Sequence, residues 1–175
     1  MTSDNRGYSL FELLIAIAVI GIVSALAIPA YRTYIETANM TKVTANFEQA
    51  IRVAQLSFSK DKTRRAIGLF DTLPSTTEAW ITLLNKSGVQ APGGGPAYIA
   101  SSNNQTTGRG NAETGAIGVN WIDSRSESVR ANGTVRPARE ARLDLWRPRY
   151  LSLREQRALV TEAGVDLRNQ RLPED

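Results

Sequence analysis

Three residues near the N-terminus, Gly7, Tyr8 and Glu12, combine a glycine junction with a carboxylate at the start of a long apolar run. From Leu13 to Tyr31 the chain has nineteen consecutive uncharged residues, most of them aliphatic. An unpaired carboxylate is costly in a layer of low dielectric constant, so Glu12 is expected to seek a positively charged partner. The chemistry that this spacing indicates is ionic pairing.

The composition excludes several kinds of catalysis. The 175 residues include no His and no Cys, which excludes Ser-His-Asp and Cys-His catalysis, disulfide bonds and the commonest metal ligand. No pair of carboxylates stands out for acid–base work, so we predict neither an enzyme nor a cofactor. The net charge of +4 is small for this length, and 42% hydrophobic residues suffice for one modest core.

The apolar run is long enough to cross a bilayer, whose hydrocarbon core of about 30 Å needs about 20 apolar residues. Residues 10–28 hold twelve Leu, Ile, Val or Phe side chains. These favour insertion by about 4 to 7 kcal/mol, against about 3 kcal/mol for an acid at mid-span. Three interpretations stay open on this ground: a secretory signal with a cleavage site at Ala25-Leu26-Ala27, a plain membrane anchor, and a span that later becomes an assembly surface.

The same stretch resembles the class III signal of type IV prepilins and pseudopilins. In that family a short polar leader ends in Gly; an aromatic residue, a small or polar residue, two apolar residues and a Glu follow; and the apolar helix carries Gly and Pro at set places. The matching residues here are Gly7, Tyr8, Ser9, Leu10, Phe11, Glu12, Gly21 and Pro29. The family usually has Phe where this chain has Tyr8.

The resemblance implies a route of processing and assembly. A prepilin peptidase/N-methyltransferase would cut between Gly7 and Tyr8 on the cytoplasmic side and methylate the amine of Tyr8, and Glu12 of one copy would pair with that amine on its neighbour. Gly21 and Pro29 weaken a helix, so the span would be helical in the membrane and partly extended between them in a filament. The other residues assigned to filament assembly are Leu10, Phe11 and Leu13.

The resemblance also implies a structural protein, the subunit of a type IV pilus, with adhesion and twitching motility among the roles of such fibres. Its partners would be copies of itself in a helical filament, the inner-membrane assembly machinery, and the lipid bilayer before assembly. It would span the bacterial inner membrane once, with a cytoplasmic N-terminus, and become extracellular in the pilus. The alternatives are a pseudopilin of a type II secretion system and a minor DNA-uptake pilin with weak DNA binding.

The expected fold is α+β, the type IV pilin fold, with a long N-terminal helix packed on an antiparallel β-sheet head. Apolar residues recur at helical spacing from Ile35 to Phe58, and the basic segment Ser59–Arg65 is predicted to be an exposed loop. A capping box, Ser75-Thr-Thr-Glu78, predicts a short helix at about 76–87 whose Trp80, Leu83 and Leu84 lie in the core.

The sequence is predicted to divide into four segments: a leader, 1–7; a membrane-spanning and filament-core helix, 8–28; its amphipathic half, 29–58; and a head, 59–175. The head is divided into a loop and short helix, 59–96, a sheet, 97–165, and a tail, 166–175.

Strand patterns follow in the second half of the chain. Ile117, Val119 and Trp121 alternate with small or polar residues, as do Leu143 and Leu145. The remaining predictions are a hairpin turn at Asn132-Gly133 and a strand at Tyr150–Leu153. Residues 154–165 fit either a helix or a strand, and the resemblance favours a closing strand near 157–163. Eleven arginines after Ser124 are interleaved with acids, which favours a solvated face over a nucleic-acid groove. Without Cys, packing or salt bridges must hold the C-terminal segment.

Overall fold

The computed structural model describes residues 8–101, 109–125, 128–129, 135–136 and 140–169. The chain forms two compact units, residues up to Ala38 and residues from Asn39 onward. Within the described ranges the elements are α1 (Leu10–Ala66), α2 (Thr77–Asn85), β1 (Tyr98–Ala100), β2 (Ile117–Ile122), β3 (Ser128–Val129), β4 (Val135–Arg136), β5 (Arg142–Arg147), β6 (Gln156–Thr161) and β7 (Gly164–Asn169).

The part of α1 that belongs to the second unit packs through one face. Residues three or four apart share a side of a helix, and the buried apolar residues of this part keep that spacing. They are Val43, Phe47, Ala50, Ala54 and Phe58. This confirms the amphipathic pattern predicted here, except at its first residue, because Ile35 lies in the first unit and is exposed.

Five strands form one sheet in the order β1-β2-β5-β6-β7. β1 runs parallel to β2, and the other neighbouring strands are antiparallel, which confirms an α+β fold with a mostly antiparallel sheet. The register places Val119 opposite Leu145, and Leu145 opposite Ala158. Since alternate residues of a strand point to the same face, these buried side chains form one apolar face of the sheet.

The short helix α2 confirms the predicted helix and corrects two details. Its N-cap is Thr76, whose hydroxyl accepts the N–H of Ala79 at 3.1 Å, where the sequence predicted a capping box starting at Ser75. Trp80 and Leu84 are buried, but Leu83 is 37% exposed and lies outside the core. Trp80, Trp121 and Phe58 form an aromatic cluster with ring centroids 5.6 to 6.1 Å apart.

The exposed loop predicted at Ser59–Arg65 is wrong, because α1 continues through this segment to Ala66. Asp61 points inward and is fully buried; its Oδ2 accepts the Nε–H of Arg65 and its Oδ1 accepts the backbone N–H of Thr72, both at 2.8 Å. The helix ends in a Schellman motif, in which Gly68 has φ +77° and the N–H groups of Gly68 and Leu69 donate to the carbonyls of Arg65 and Arg64.

The C-terminal part of the sheet extends further than predicted. β6 confirms the closing strand near 157–163, but β7 continues to Asn169, inside the segment predicted as a loose tail. Tyr150–Leu153 is a turn closed by a single bridge, not a strand, and Leu151 adopts φ 50° in it. Ala158 and Val160 of β6 are buried in the core, and Arg65 pairs with Glu162 in the β6–β7 connection. Packing, together with a salt bridge to α1, therefore holds this Cys-free segment.

The hairpin turn predicted at Asn132-Gly133 lies outside the described residues. The two short strands β3 and β4 pair in antiparallel orientation, with Val129 opposite Val135.

Candidate assembly segment

The first unit presents an apolar helical surface. In the described part of this unit, starting at Tyr8, nearly every large apolar side chain is exposed, with Leu10 83% and Phe11 70% accessible. The N-terminal part of α1 is long and apolar enough to cross a membrane, judged by length and composition. Apolar side chains displayed in this way need a lipid or protein environment to cover them.

The helix that carries these side chains starts at a side-chain cap. The Ser9 hydroxyl accepts the backbone N–H of Glu12 at 3.1 Å, and the Ser9 carbonyl accepts the N–H of Leu13 at the same distance. Ser9 is therefore the N-cap and Glu12 stands at its third helical position, the spacing of a capping box. Sequence reasoning missed this role of Ser9, although the Ser-x-x-Glu spacing of residues 9–12 carries the signal.

Glu12 is the single acidic residue in the first turn of α1. Its side chain is exposed, and the structure gives its carboxylate no hydrogen-bond or ion-pair partner among the described residues. The helix dipole favours an acid at this end, which supports the helix but does not neutralise the carboxylate. Tyr8 lies directly outside the helix, and Gly7, the other half of the predicted cleavage junction, lies outside the described residues.

The two helix-weakening residues both lie inside α1, which is helical at Gly21 and passes through Pro29. A Cβ placed on Gly21 would meet no atom within 4 Å, so this glycine leaves an open notch on the helix. Pro29 lacks the N–H of an ordinary helical residue. Two threonines follow it at intervals of one helical turn, and each donates its hydroxyl to the backbone carbonyl four residues earlier. Thr33 donates to the Pro29 carbonyl at 3.2 Å, and Thr37 donates to the Thr33 carbonyl at 2.9 Å.

The structure thus brings Tyr8, Ser9, Leu10, Phe11, Glu12 and Leu13 to one end of an exposed helix, with Gly21 and Pro29 further along it. No group of three or more His, Cys, Asp or Glu side chains with metal-binding spacing occurs among the described residues. This helix can associate with lipid or with other helices through apolar contacts, and its one acid, Glu12, is available for an ion pair.

The comparisons with known proteins concentrate on the same segment. Residues 2–28 match the family model of the prokaryotic N-terminal methylation motif. The chain is 36% identical over 59 residues to the type IV major alpha-pilin of Moraxella bovis, a match that covers 34% of this chain and 37% of the relative.

Two further relatives carry similar names. The type IV major fimbrial protein FimA of Dichelobacter nodosus is 37% identical over 65 residues, which are 35% of this chain and 42% of that protein. The type IV major pilin protein PilA of Myxococcus xanthus (strain DK1622) is 38% identical over 60 residues, which are 34% of this chain and 27% of that protein. The chain therefore spans well under half the length of these relatives, and no solved structure matches it.

Proposed function

We propose that this chain is a type IV pilin, a structural subunit of a type IV pilus and not an enzyme; the motif match and the names of the relatives support the proposal. The observation that carries the proposal is an exposed apolar helix that begins at a serine cap and holds one acid, Glu12, without a partner among the residues that the structure describes. In a monomer in water this apolar surface is exposed at a cost in free energy, whereas in a bundle of identical helices it is buried as the core.

Processing supplies the missing partner of Glu12. Cleavage between Gly7 and Tyr8 creates an ammonium at Tyr8, one residue before the cap, and methylation of that amine leaves its positive charge in place. The named relatives and the motif support processing by a prepilin peptidase/N-methyltransferase.

The ammonium and the carboxylate then fix the axial alignment of neighbouring subunits. Inside an apolar bundle an unpaired charge of either sign costs several kcal/mol, so Glu12 of one copy pairs with the Tyr8 amine of its neighbour. A single polar pair of this kind fixes axial register, as a lone polar residue does in a coiled coil. Leu10, Phe11 and Leu13 flank the pair and exclude water from it.

Before assembly the apolar part of α1 spans the inner membrane once with its N-terminus in the cytoplasm, and the assembly machinery of that membrane extracts it into an extracellular fibre. The relatives are named major pilins or major fimbrial proteins, which favours this role over a secretion pseudopilin or a minor DNA-uptake pilin.

The test replaces Glu12 by Ala in the organism that makes the protein. We expect the Glu12→Ala chain to accumulate in the membrane at the normal level while surface fibres fall at least tenfold, counted by electron microscopy and identified by peptide sequencing. The matched control is Glu36→Ala, which removes an exposed acid from the same helix beyond Pro29 and leaves fibres intact. Normal fibres from the Glu12→Ala chain would refute the charge-pair mechanism.

A further inference from the structure

The end of α1 and the loop after it expose apolar side chains beside basic ones. Leu56 and Ile67 are each 69% exposed, and Phe70 is 91% exposed. We define the basic–apolar patch as the following residues of the second unit: Leu56, Lys60, Arg64, Ile67, Leu69 and Phe70.

Helical spacing gathers part of this patch on one side of α1. Leu56, Lys60 and Ile67 are separated by four and seven residues, which is one and two turns. The structure gives Lys60 and Arg64 no ion pair with a described residue. The nearby acids are already engaged, since Asp61 is buried against Arg65 and Asp71 pairs with Arg125. The patch therefore carries a local excess of positive charge.

The exposure of Phe70 is built into the loop. On one side the Schellman motif fixes Gly68 and Leu69 to the last turn of α1. On the other side the buried carboxylate of Asp61 accepts the N–H of Thr72, and Asp71 accepts the N–H of Leu73 at 2.8 Å. These hydrogen bonds hold both ends of the loop, and Phe70 stands exposed between them.

We propose that the basic–apolar patch docks on an anionic lipid surface. Aromatic and aliphatic side chains next to lysines are the features by which proteins lie in the interface of a bilayer, the apolar groups inserting and the cations pairing with lipid phosphates. A nucleic acid fits less well, because the aliphatic side chains of Leu56, Ile67 and Leu69 offer no π-face for stacking on bases. The proposal is independent of the pilus assignment, since it concerns a surface of the second unit.

The test uses the full chain, held through its own apolar helix in nanodiscs of phosphatidylcholine. A flotation assay measures how much of the nanodisc is captured by vesicles. The vesicles consist of pure phosphatidylcholine or of phosphatidylcholine containing one quarter phosphatidylglycerol. We expect capture by the anionic vesicles alone, weakening as salt rises. Phe70→Ser should lower the affinity about tenfold, and Lys60→Glu should lower it about fivefold or more.

Matched controls separate the patch from general charge and hydrophobicity. Lys42→Glu reverses another exposed lysine of α1, and Leu167→Ser removes another exposed leucine, so both should change the affinity less than twofold. Circular dichroism of every variant checks that the fold is kept.

Four outcomes overturn the proposal. These are equal capture by neutral and anionic vesicles, no capture by either, patch variants that behave like their controls, and association of nanodiscs with each other without vesicles, which would make the patch a contact between copies.

If single-stranded DNA binds and Phe70→Ser weakens only that binding, the patch is a nucleic-acid site and the lipid proposal is wrong. None of these readouts depends on filament formation, so failure here leaves the proposed function standing.

Discussion

Asp61 and Asp144 are carboxylates that the fold buries almost completely and holds with arginines. Asp61 accepts hydrogen bonds from Arg65 and from the backbone of Thr72, while Asp144 lies between Arg142 and Arg157 on the sheet. Breaking a buried pair by removing one partner costs about 3 to 5 kcal/mol, because the remaining charge stays desolvated. Both acids therefore tie neighbouring segments together, and Asp61 in particular fastens the loop that displays Phe70.

Because of Tyr98, the free energy of unfolding is expected to fall at alkaline pH. Its ring is buried, and its hydroxyl donates to the Asn46 carbonyl at 2.8 Å. Burial raises the pKa of Tyr98 to about 12, from an ordinary value of 10.0. Between these values the unfolded chain loses a proton that the folded chain keeps, so we expect the contribution of Tyr98 to the free energy of unfolding to be constant below about pH 9 and to fall by about 2 kcal/mol as the pH rises to 12.

The measurement is urea unfolding of the full chain in detergent from pH 8 to pH 11.5. Tyr98→Phe should lower the free energy of unfolding at pH 8 by about 1 kcal/mol, the contribution of one hydrogen bond, and should flatten its fall above pH 10. Tyr34→Phe, which changes an exposed tyrosine of the first unit, should keep the wild-type slope. An unchanged slope in Tyr98→Phe would show that other groups cause the alkaline loss.

At the scale of elements, the end of α1 depends on the glycine of its Schellman motif. Gly68 adopts φ +77°, and a Cβ there would touch nothing within 4 Å, so the cost of Gly68→Ala is conformational and not steric. We expect this change to lower the free energy of unfolding by about 1 kcal/mol. Gly68→Asn should cost less, because Asn tolerates the left-handed region. Equal effects of Ala and Asn in urea unfolding would argue that φ is not the cause.

The same helix end shows where sequence reasoning failed. The basic run at residues 59–65 resembles a solvated loop when only charge is considered, yet helical spacing places Asp61 on the buried face and Arg65 beside it. The stop signal was present in Gly68, preceded by Arg64 and Arg65 in the last turn, where cations suit the helix dipole. What the sequence could not reveal was Glu162, which is distant in the chain and completes the ion pair.

Other elements were predictable because their signals are local. Period-two alternation predicted the strands around Val119 and Leu145, and the capping box Ser75–Glu78 located the start of α2 within one residue. The N-terminal segment was predictable from a spaced motif, since Glu12 and Pro29 stand at fixed distances from Gly7. The order of strands and the parallel pairing of β1 with β2 depend on long-range contacts, which no local pattern reports.

At the scale of the whole molecule, the two possible cleavage sites differ in their position relative to α1. Tyr8, the residue after the proposed cut, precedes the N-cap Ser9 and lies outside α1. The alternative secretory site, after Ala27, lies in the middle of α1, where cleavage requires several turns of helix to unwind. We therefore expect the mature protein to begin at Tyr8 with one methyl group on its amine.

Intact-mass spectrometry of material sheared from the cell surface measures both features, and fragmentation places the methyl group on the first residue. Ala27→Leu, which spoils the small-residue site inside the helix, should leave the mature mass otherwise unchanged, since that bond is not the one cut. A mature chain that begins at Ile28 would instead identify a secretory signal. It would also remove Glu12 from the exported protein, so the charge pair could not form and the assembly mechanism would have to be abandoned together with the processing site.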